Sequence, residues 1–363
     1  MNTTFGLVIF LTIYAVISFY IGYNGWKWGK AALALKWKKT YILVILLLSS
    51  AYILSMFLSS RILQLVGGYW LVIFGYCCII LPIINLVYFI SKRNVKWKIR
   101  SGYVTLAFFA FVLIYGSYNA WTPTVRDYSI EINNPDKEMQ GEQIKLLIAA
   151  DLHLGEVIGE RHLQRFVEVV QQEEPDLVLL SGDIIDNSIS PYFANNLSDT
   201  MSQLDAPLGV YAVPGNHDYY GGDLYLLRDE FKEIGFNFLM DEIETVNDQL
   251  TIIGRNDYTD KDRQSIEQLM DQADNNLPVI MLDHQPREIT EAQQSGVDLI
   301  ISGHTHRGQV FQANLITSAL YENDWGHLQK DQLHSFTTSG FGFWGPALRI
   351  GSRSEVMTVT LNY

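Results

Sequence analysis

Ile144-Lys-Leu-Leu-Ile-Ala-Ala150 runs directly into Asp151-Leu-His153-Leu-Gly155, a largely apolar stretch that ends in a carboxylate and an imidazole two positions apart. Its length and composition predict a buried strand, and the polar pair at its end marks a turn that delivers ligands. The pattern recurs four times. Residues 176–180 lead into Ser181-Gly-Asp183-Ile-Ile-Asp186, residues 209–213 into Pro214-Gly-Asn216-His217-Asp218, residues 278–282 into Asp283-His284, and residues 297–301 into Gly303-His304-Thr305-His306. In open α/β sheets, ligands bind beyond the carboxyl ends of strands, so five such turns bring their side chains to one rim. Between the first two strands, Leu163, Phe166, Val167 and Val170 recur at helical spacing within residues 160–174, which predicts a strand, helix, strand unit. Further helices are expected at 193–204, 224–234, 265–274 and 288–295. Further strands are expected at 128–132, 250–253 and 357–361.

The chain around this region has two unlike parts. The whole has 26 Lys and Arg against 39 Asp and Glu, a net charge of -13, yet residues 1–121 hold 11 of the basic residues and no acid. All eight His lie in residues 122–363, so chemistry is sought there. Residues 5–23, 41–58, 69–90 and 103–121 are four uncharged apolar runs, each near the ~20 residues that span a bilayer. The expected division is a four-helix transmembrane domain at 1–121 and a second domain at 122–363, joined by a five-residue tether at 122–126. The first run follows no basic residue and precedes no small-residue cleavage site, so it is read as a retained helix and not a signal peptide.

Lys27, Lys30, Lys36, Lys38 and Lys39 fill the first loop and Lys92, Arg93, Lys96, Lys98 and Arg100 the third, whereas the second carries Arg61 alone. By loop charge, loops one and three are cytoplasmic, and the N-terminus and residues 122–363 face the extracytoplasmic side. No ionisable residue lies inside a span, which argues against an ion or proton pathway. Cys77 and Cys78 are both in a span, so the second domain has no disulfide and depends on core packing or bound metal. Its strong negative charge disfavours nucleic acid as a partner, and the acidic runs at 136–142 and 241–244 read as solvated faces.

The ordered set Asp-x-His, Gly-Asp, Gly-Asn-His, a lone His and Gly-His-x-His resembles the calcineurin-like metallophosphoesterase superfamily over nearly all of residues 144–306. Within it, Ser339-Gly-Phe-Gly-Phe-Trp344-Gly-Pro346 and the membrane-tethered layout resemble the bacterial membrane-anchored phosphoesterases. Where the family has Gly-Gly after the last His, this chain has Arg307-Gly308, a change in the pocket wall that leaves the ligands in place. The resemblance implies an α/β domain with a two-sheet β core flanked by helices, and a binuclear site. It implies that Asp151, His153, Asp183 and His306 hold one ion, and Asp183, Asn216, His284 and His304 the other, with Asp183 shared. Mixed nitrogen and oxygen donors without thiolate suit Mn²⁺, with Fe or Zn²⁺ as rivals.

The implied reaction is hydrolysis of a phosphate ester or pyrophosphate by metal-bound hydroxide, with His217 serving the leaving oxygen. Asp186 is favoured as the group that orients His217, and Asp218 competes for that role. Arg161 and Arg349 are candidate phosphate contacts, with surface salt bridges as the alternative for each. The aromatic series Tyr321, Trp325, Phe341, Phe343 and Trp344 is read as core or, because it flanks the last metal motif, as a lipid-contacting or pocket-wall surface, with Trp344 the candidate substrate contact. His162, His327 and His334 are assigned to packing. The expected substrate is a lipid-linked phosphate at the outer surface. The alternatives are a soluble extracellular nucleotide or phosphodiester, and a non-catalytic membrane sensor or scaffold that keeps metal for stability.

Overall fold

The computed structural model describes residues 3–132 and 143–362, and the acidic run at 136–142 lies outside the described residues. Contacts divide the chain into one unit of Met1–Ser117 with Gly345–Ala347 and a second of Tyr118–Trp344 with Leu348–Tyr363. Four helices lead the chain: α1 (Thr3–Ala32), α2 (Lys38–Ser55), α3 (Arg61–Ile90) and α4 (Val95–Trp121). All four are long and apolar enough to cross a membrane. Three outrun the apolar stretches: Trp and Lys residues continue α1 and α4 toward the polar interface, and residues 61–68 continue α3. The second has the length of its apolar run but is shifted by three positions, since residues 56–58 leave the helix in a turn. Within the first unit the Tyr14 hydroxyl donates to the Ser49 carbonyl at 2.6 Å, which joins α1 to α2.

The second unit contains two six-stranded sheets. Its elements in order are β1 (Thr124–Glu131), β2 (Ile144–Ala149), α5 (Glu160–Glu173), β3 (Leu177–Ser181), α6 (Ser190–Ala194), α7 (Leu197–Met201), β4 (Val210–Val213), α8 (Asn216–Tyr220), α9 (Leu224–Glu233), β5 (Asn237–Phe238), β6 (Glu242–Val246) and β7 (Leu250–Gly254). After these come α10 (Ile266–Met270), β8 (Val279–Leu282), α11 (Ile289–Gln294), β9 (Leu299–Ser302), α12 (Ala313–Leu320), β10 (Gly326–Lys330), β11 (Leu333–Thr337) and β12 (Glu355–Asn362). One sheet has the order β1-β12-β2-β3-β4-β5 and the other β10-β11-β9-β8-β7-β6. Pairing in the first is parallel except between β12 and β2. In the second, the antiparallel pairs are β10 with β11 and β6 with β7.

Alternation places the core. Leu146, Ile148, Leu177, Leu179 and Val213 of one sheet form a single buried cluster with Ile252, Ile280, Leu282, Ile301 and Phe336 of the other. Such period-two residues on facing strands form the inner layer of a sandwich. Val279, Met281 and Ile300 alternate to the other face, where they meet Leu269 of α10 and Ile289 of α11. The thirteen predicted elements of this unit are present. Three differ in extent. The strand at 128–132 starts at Thr124, so only Thr122 and Pro123 separate α4 from β1, in place of a five-residue tether. The helix at 193–204 is two short helices, because Asn196 adopts a left-handed φ of 50° between them, a conformation Asn tolerates. The helix at 265–274 is one turn and a half, opened by a box in which the Ser265 Oγ accepts from Gln268 N and the Gln268 side chain from Ser265 N. The run at 241–244 is mostly inside β6, with Glu244 exposed.

Phe336 is fully buried between the sheets and packs its ring 5.1 Å from that of Tyr128. Phe336→Ala should lower the unfolding free energy of the second unit by about 3–5 kcal/mol. Denaturant unfolding followed by limited proteolysis measures it, and a loss below about 1 kcal/mol would contradict a core at the sheet interface.

Candidate metal centre

The five ligand-bearing turns follow β2, β3, β4, β8 and β9, and the backbone in them is unusual. Asp151, His153, Asp183, His304 and His306 all have positive φ, between 47° and 70°. Non-glycine residues take this conformation at a cost and do so mainly at functional sites. The turns are laced together. Asp151 N donates to the Gly182 carbonyl at 2.9 Å and His153 N to the Asp183 carbonyl at 3.0 Å, while His304 N reaches both Asp151 carboxylate oxygens at 3.1 Å. Two glycines permit the close approach. A Cβ on Gly215 would stand 2.2 Å from Asp183 Oδ1, and one on Gly303 2.5 Å from Asp151 Oδ2.

The side chains converge in groups. Asp151, His153 and His306 bring ligand atoms together, with His306 Nε2 3.4 Å from Asp151 Oδ1 and 3.1 Å from His153 Nε2. Asp183, His284 and His304 form a second group. Asn216 joins it, with its Oδ1 2.8 Å from His304 Nδ1. Asp183 Oδ2 lies 3.2 Å from His284 Nε2 and 3.8 Å from His153 Nε2, so one carboxylate oxygen faces both groups. The third cluster is His153, Asp186 and His217.

The donor set fits divalent metal. His284 Nδ1 donates to the Ser181 carbonyl at 2.8 Å, which commits that nitrogen and leaves Nε2 to face the metal position. That Nε2 is buried and has no hydrogen-bond partner, although it faces Asp183. Burial holds His153 down at about 3 and His304 at about 4, and pushes His306 well below its usual range, so these imidazoles are neutral as ligands must be. Burial also raises Asp151 to about 7. His284 is the exception. Burial would lower it, but the Asp183 carboxylate holds its proton, which metal must displace.

Around His217 two side chains approach Nδ1. The nearest partner of its Nδ1 is Asn187 Oδ1 at 2.9 Å, while Asp186 Oδ1 stands at 3.6 Å. Asp218, the competing candidate, is turned to the backbone: its carboxylate accepts from Gly215 N at 2.7 Å and Ile185 N at 3.0 Å. It braces the Asp183 turn. Tyr220 and Trp344 place their rings 5.2 Å and 5.6 Å from His217, and both are largely exposed, so they wall the rim.

Arg349 is neither a surface salt bridge nor open to a substrate. It is fully buried, donates to the Gly342 carbonyl at 2.6 Å and the His306 carbonyl at 3.3 Å, and lies 3.2 Å from His306 Nδ1. The reason is the tail segment, which folds over the His306 turn and leaves carbonyls that need a donor. Arg161 is exposed on the first turn of α5. The exposed guanidinium near the ligands is Arg287, which donates to Gln285 Oε1 at 2.7 Å and lies 5.7 Å above the Tyr321 ring, itself 6.1 Å from His304. Its place three residues after His284 was the available signal.

The remaining aromatics divide: Phe341 and Phe343 are buried, while Trp325 lies under Arg307, whose guanidinium is 3.7 Å from the ring. Arg307 has φ 48°, which accounts for a family preference for Gly there. His162 is buried in α5, and His327 and His334 stack on one another 5.2 Å apart, so all three serve packing.

A family model described as calcineurin-like phosphoesterase matches residues 144–308. A "transmembrane protein with metallophosphoesterase domain" of Danio rerio is 26% identical over 360 residues, covering 90% of this chain and 80% of its own length. An uncharacterized metallophosphoesterase of Helicobacter pylori is 30% identical, with 77% of this chain and 75% of its own length covered. One from Aquifex aeolicus is 33% identical over 65% of this chain and 91% of its own length.

Two substitutions separate the roles. Asp183→Asn should remove both metal equivalents from the purified protein, whereas Gly303→Ala, which displaces Asp151, should remove chiefly one. Elemental analysis reads both, and retention of two equivalents in Asp183→Asn would refute the shared position.

Proposed function

The chain belongs to the calcineurin-like phosphoesterase family, and from that premise we propose that it is a binuclear hydrolase of lipid-linked phosphate at the extracytoplasmic face of its membrane. It is a metal-dependent phosphoesterase carried by a membrane-integrated chain. The observation that carries the binuclear reading is the Asp183 oxygen that faces both ligand groups. Asp151, His153, Asp183 and His306 would hold one divalent ion, and Asp183, Asn216, His284 and His304 the second. When bound, such ions supply Lewis acidity toward phosphate oxygens and acidify water. Mn²⁺ suits the mixed imidazole, amide and carboxylate donors, with Fe and Zn²⁺ as competitors.

The chain's own residues do the rest. Asn187 Oδ1 accepts from His217 Nδ1, so Nε2 is the nitrogen available to the leaving oxygen. Asp186 Oδ1 stands farther from the same nitrogen, at 3.6 Å, as a longer-range partner that orients the ring. Tyr220 and Trp344 restrict water at that ring and offer apolar surface to the leaving group. Arg287, held by Gln285 and by flanking tyrosines, is the guanidinium free to meet an anionic substrate. Arg349 orients the His306 turn from behind.

The membrane argument has two supports. The first is the basic bias of loops one and three, which assigns the catalytic unit to the opposite side. The second is the connection of two residues between α4 and β1, which keeps the site within reach of lipid headgroups at high effective concentration.

His217→Ala should retain both metals and slow turnover by ~10²- to 10⁴-fold. A p-nitrophenyl ester should suffer less than an alkyl ester, and equal losses would argue against proton donation. The substrate reading is tested with the full chain in lipid nanodiscs, offered a lipid phosphate and a soluble nucleotide or aryl phosphodiester. Preference for the lipid is expected. Preference for the soluble compound favours the scavenging alternative, and protease protection of the catalytic unit in intact cells would place it in the cytoplasm.

A further inference from the structure

α12 is amphipathic in the wrong sense for a soluble domain. At ~100° per residue, Leu315, Ile316, Ala319 and Leu320 fall within one arc of about 140°, and Thr317 and Asn314 fall opposite. An ordinary surface helix turns such an apolar arc inward. Here Leu315, Ile316 and Leu320 are 61%, 61% and 72% exposed, with Phe311 just before them at 48%, and none of the helix's residues is buried. The polar side faces the protein instead: Thr317 Oγ1 donates to Asp324 Oδ2 at 2.8 Å, and the Asp324 carbonyl accepts from Thr305 Oγ1 of the metal-site turn at 2.6 Å. The helix carries no charged residue over its eight positions. Elsewhere among the described residues of this unit the exposed large apolar side chains include the adjacent Tyr225 and Leu226 on α9 and the rim residues Tyr220 and Trp344; the α12 group gathers four within residues 311–320, a patch of the kind that marks a binding surface.

We propose that α12 docks on the lipid bilayer, with Leu315, Ile316 and Leu320 set into the headgroup boundary beside the metal centre. The occupant is lipid and not a protein because the chain is integral to the membrane and its catalytic unit follows the last span after two residues. The bilayer is therefore the one apolar phase always within reach, and an uncharged helix enters it without desolvating an ion. The element also joins the surface to the chemistry. Gln309, between the His306 turn and α12, donates from Nε2 to the Trp344 carbonyl at 2.8 Å, and the Trp344 ring stands beside His217. A headgroup drawn from the layer in which α12 rests thus meets the rim with its acyl chains still in lipid. This extends the lipid-substrate reading, and its geometry rests only on membrane integration.

The test uses the full chain in phosphatidylcholine nanodiscs, with Cys77 and Cys78 replaced by Ala. Ile316→Cys labelled with bimane should be quenched severalfold more by nitroxide-labelled phosphatidylcholine than Tyr225→Cys, an exposed control on α9. Equal quenching at the two positions overturns the docking. As a second measurement, the triple variant Leu315→Asn, Ile316→Asn, Leu320→Asn should lose about tenfold in turnover of a lipid phosphate and keep its metal content and its rate on a soluble aryl phosphodiester. An equal fall on both substrates would make α12 a structural part of the site and overturn the proposal. If the parent chain turns over no lipid phosphate, the substrate reading fails, and the quenching ratio still decides whether α12 meets lipid.

Discussion

A single buried carboxylate sets the terms for this molecule. Asp183 is almost completely inaccessible, accepts from His217 N at 2.8 Å and faces imidazoles on two sides. A charge so placed is costly unless paired. Without cations the pairing is uneven, since His284 keeps a proton to satisfy Asp183 while the other imidazoles are driven neutral and Asp151 is driven toward protonation. Divalent ions resolve that conflict, because they allow both carboxylates to be ionised and all the imidazoles to be neutral. The left-handed turns are the strain accepted to hold that arrangement, and Gly215 and Gly303 permit the close approach it requires.

The scaffold commits further buried charge to keep each turn in place. Asp283, next to His284, is inaccessible and bonded to Arg255 at 2.6 Å and Arg263 at 3.2 Å, and Glu288 closes the network through the same two arginines. Arg349 does the same for His306 with carbonyls as its partners. Asp218 does it for Asp183 with backbone amides. Three of the five ligand turns therefore have an ionic or hydrogen-bonded brace of their own, and the apolar sandwich beneath them supplies parallel strand ends.

What could be read from the sequence was what has a period or a fixed spacing. Buried parallel strands are apolar runs, so β2, β3, β4, β8 and β9 declared themselves, and with them each candidate ligand that follows one. The strands β10 and β11 did not, because Gly326-His-Leu-Gln-Lys330 alternates weakly and its sheet neighbours are distant in sequence. Two-residue β5 has no signal at all. Around the site, the candidate ligands followed from motif order, but orientation did not. Whether Asp186 or Asn187 meets His217 is decided by a few tenths of an ångström in a turn, and Arg349 looked like an exposed cation until the fold of the tail enclosed it. The exposed face of α12 was missed for a related reason: an apolar arc in sequence predicts burial, and only the coordinates tell which way it is turned.

The order β1-β12-β2 carries a consequence for synthesis. Thr124 pairs with Glu355, and Met357 on the other side pairs with Ile148, so β12 fills a slot between two strands made long before it. Until β12 leaves the ribosome, β1 and β2 each present an unpaired edge, and the loop to be closed is more than two hundred residues long. Assembly of this sheet therefore waits for β12, and a chain that lacks it is left with two open edges, the form in which such a domain is most exposed to aggregation and quality control.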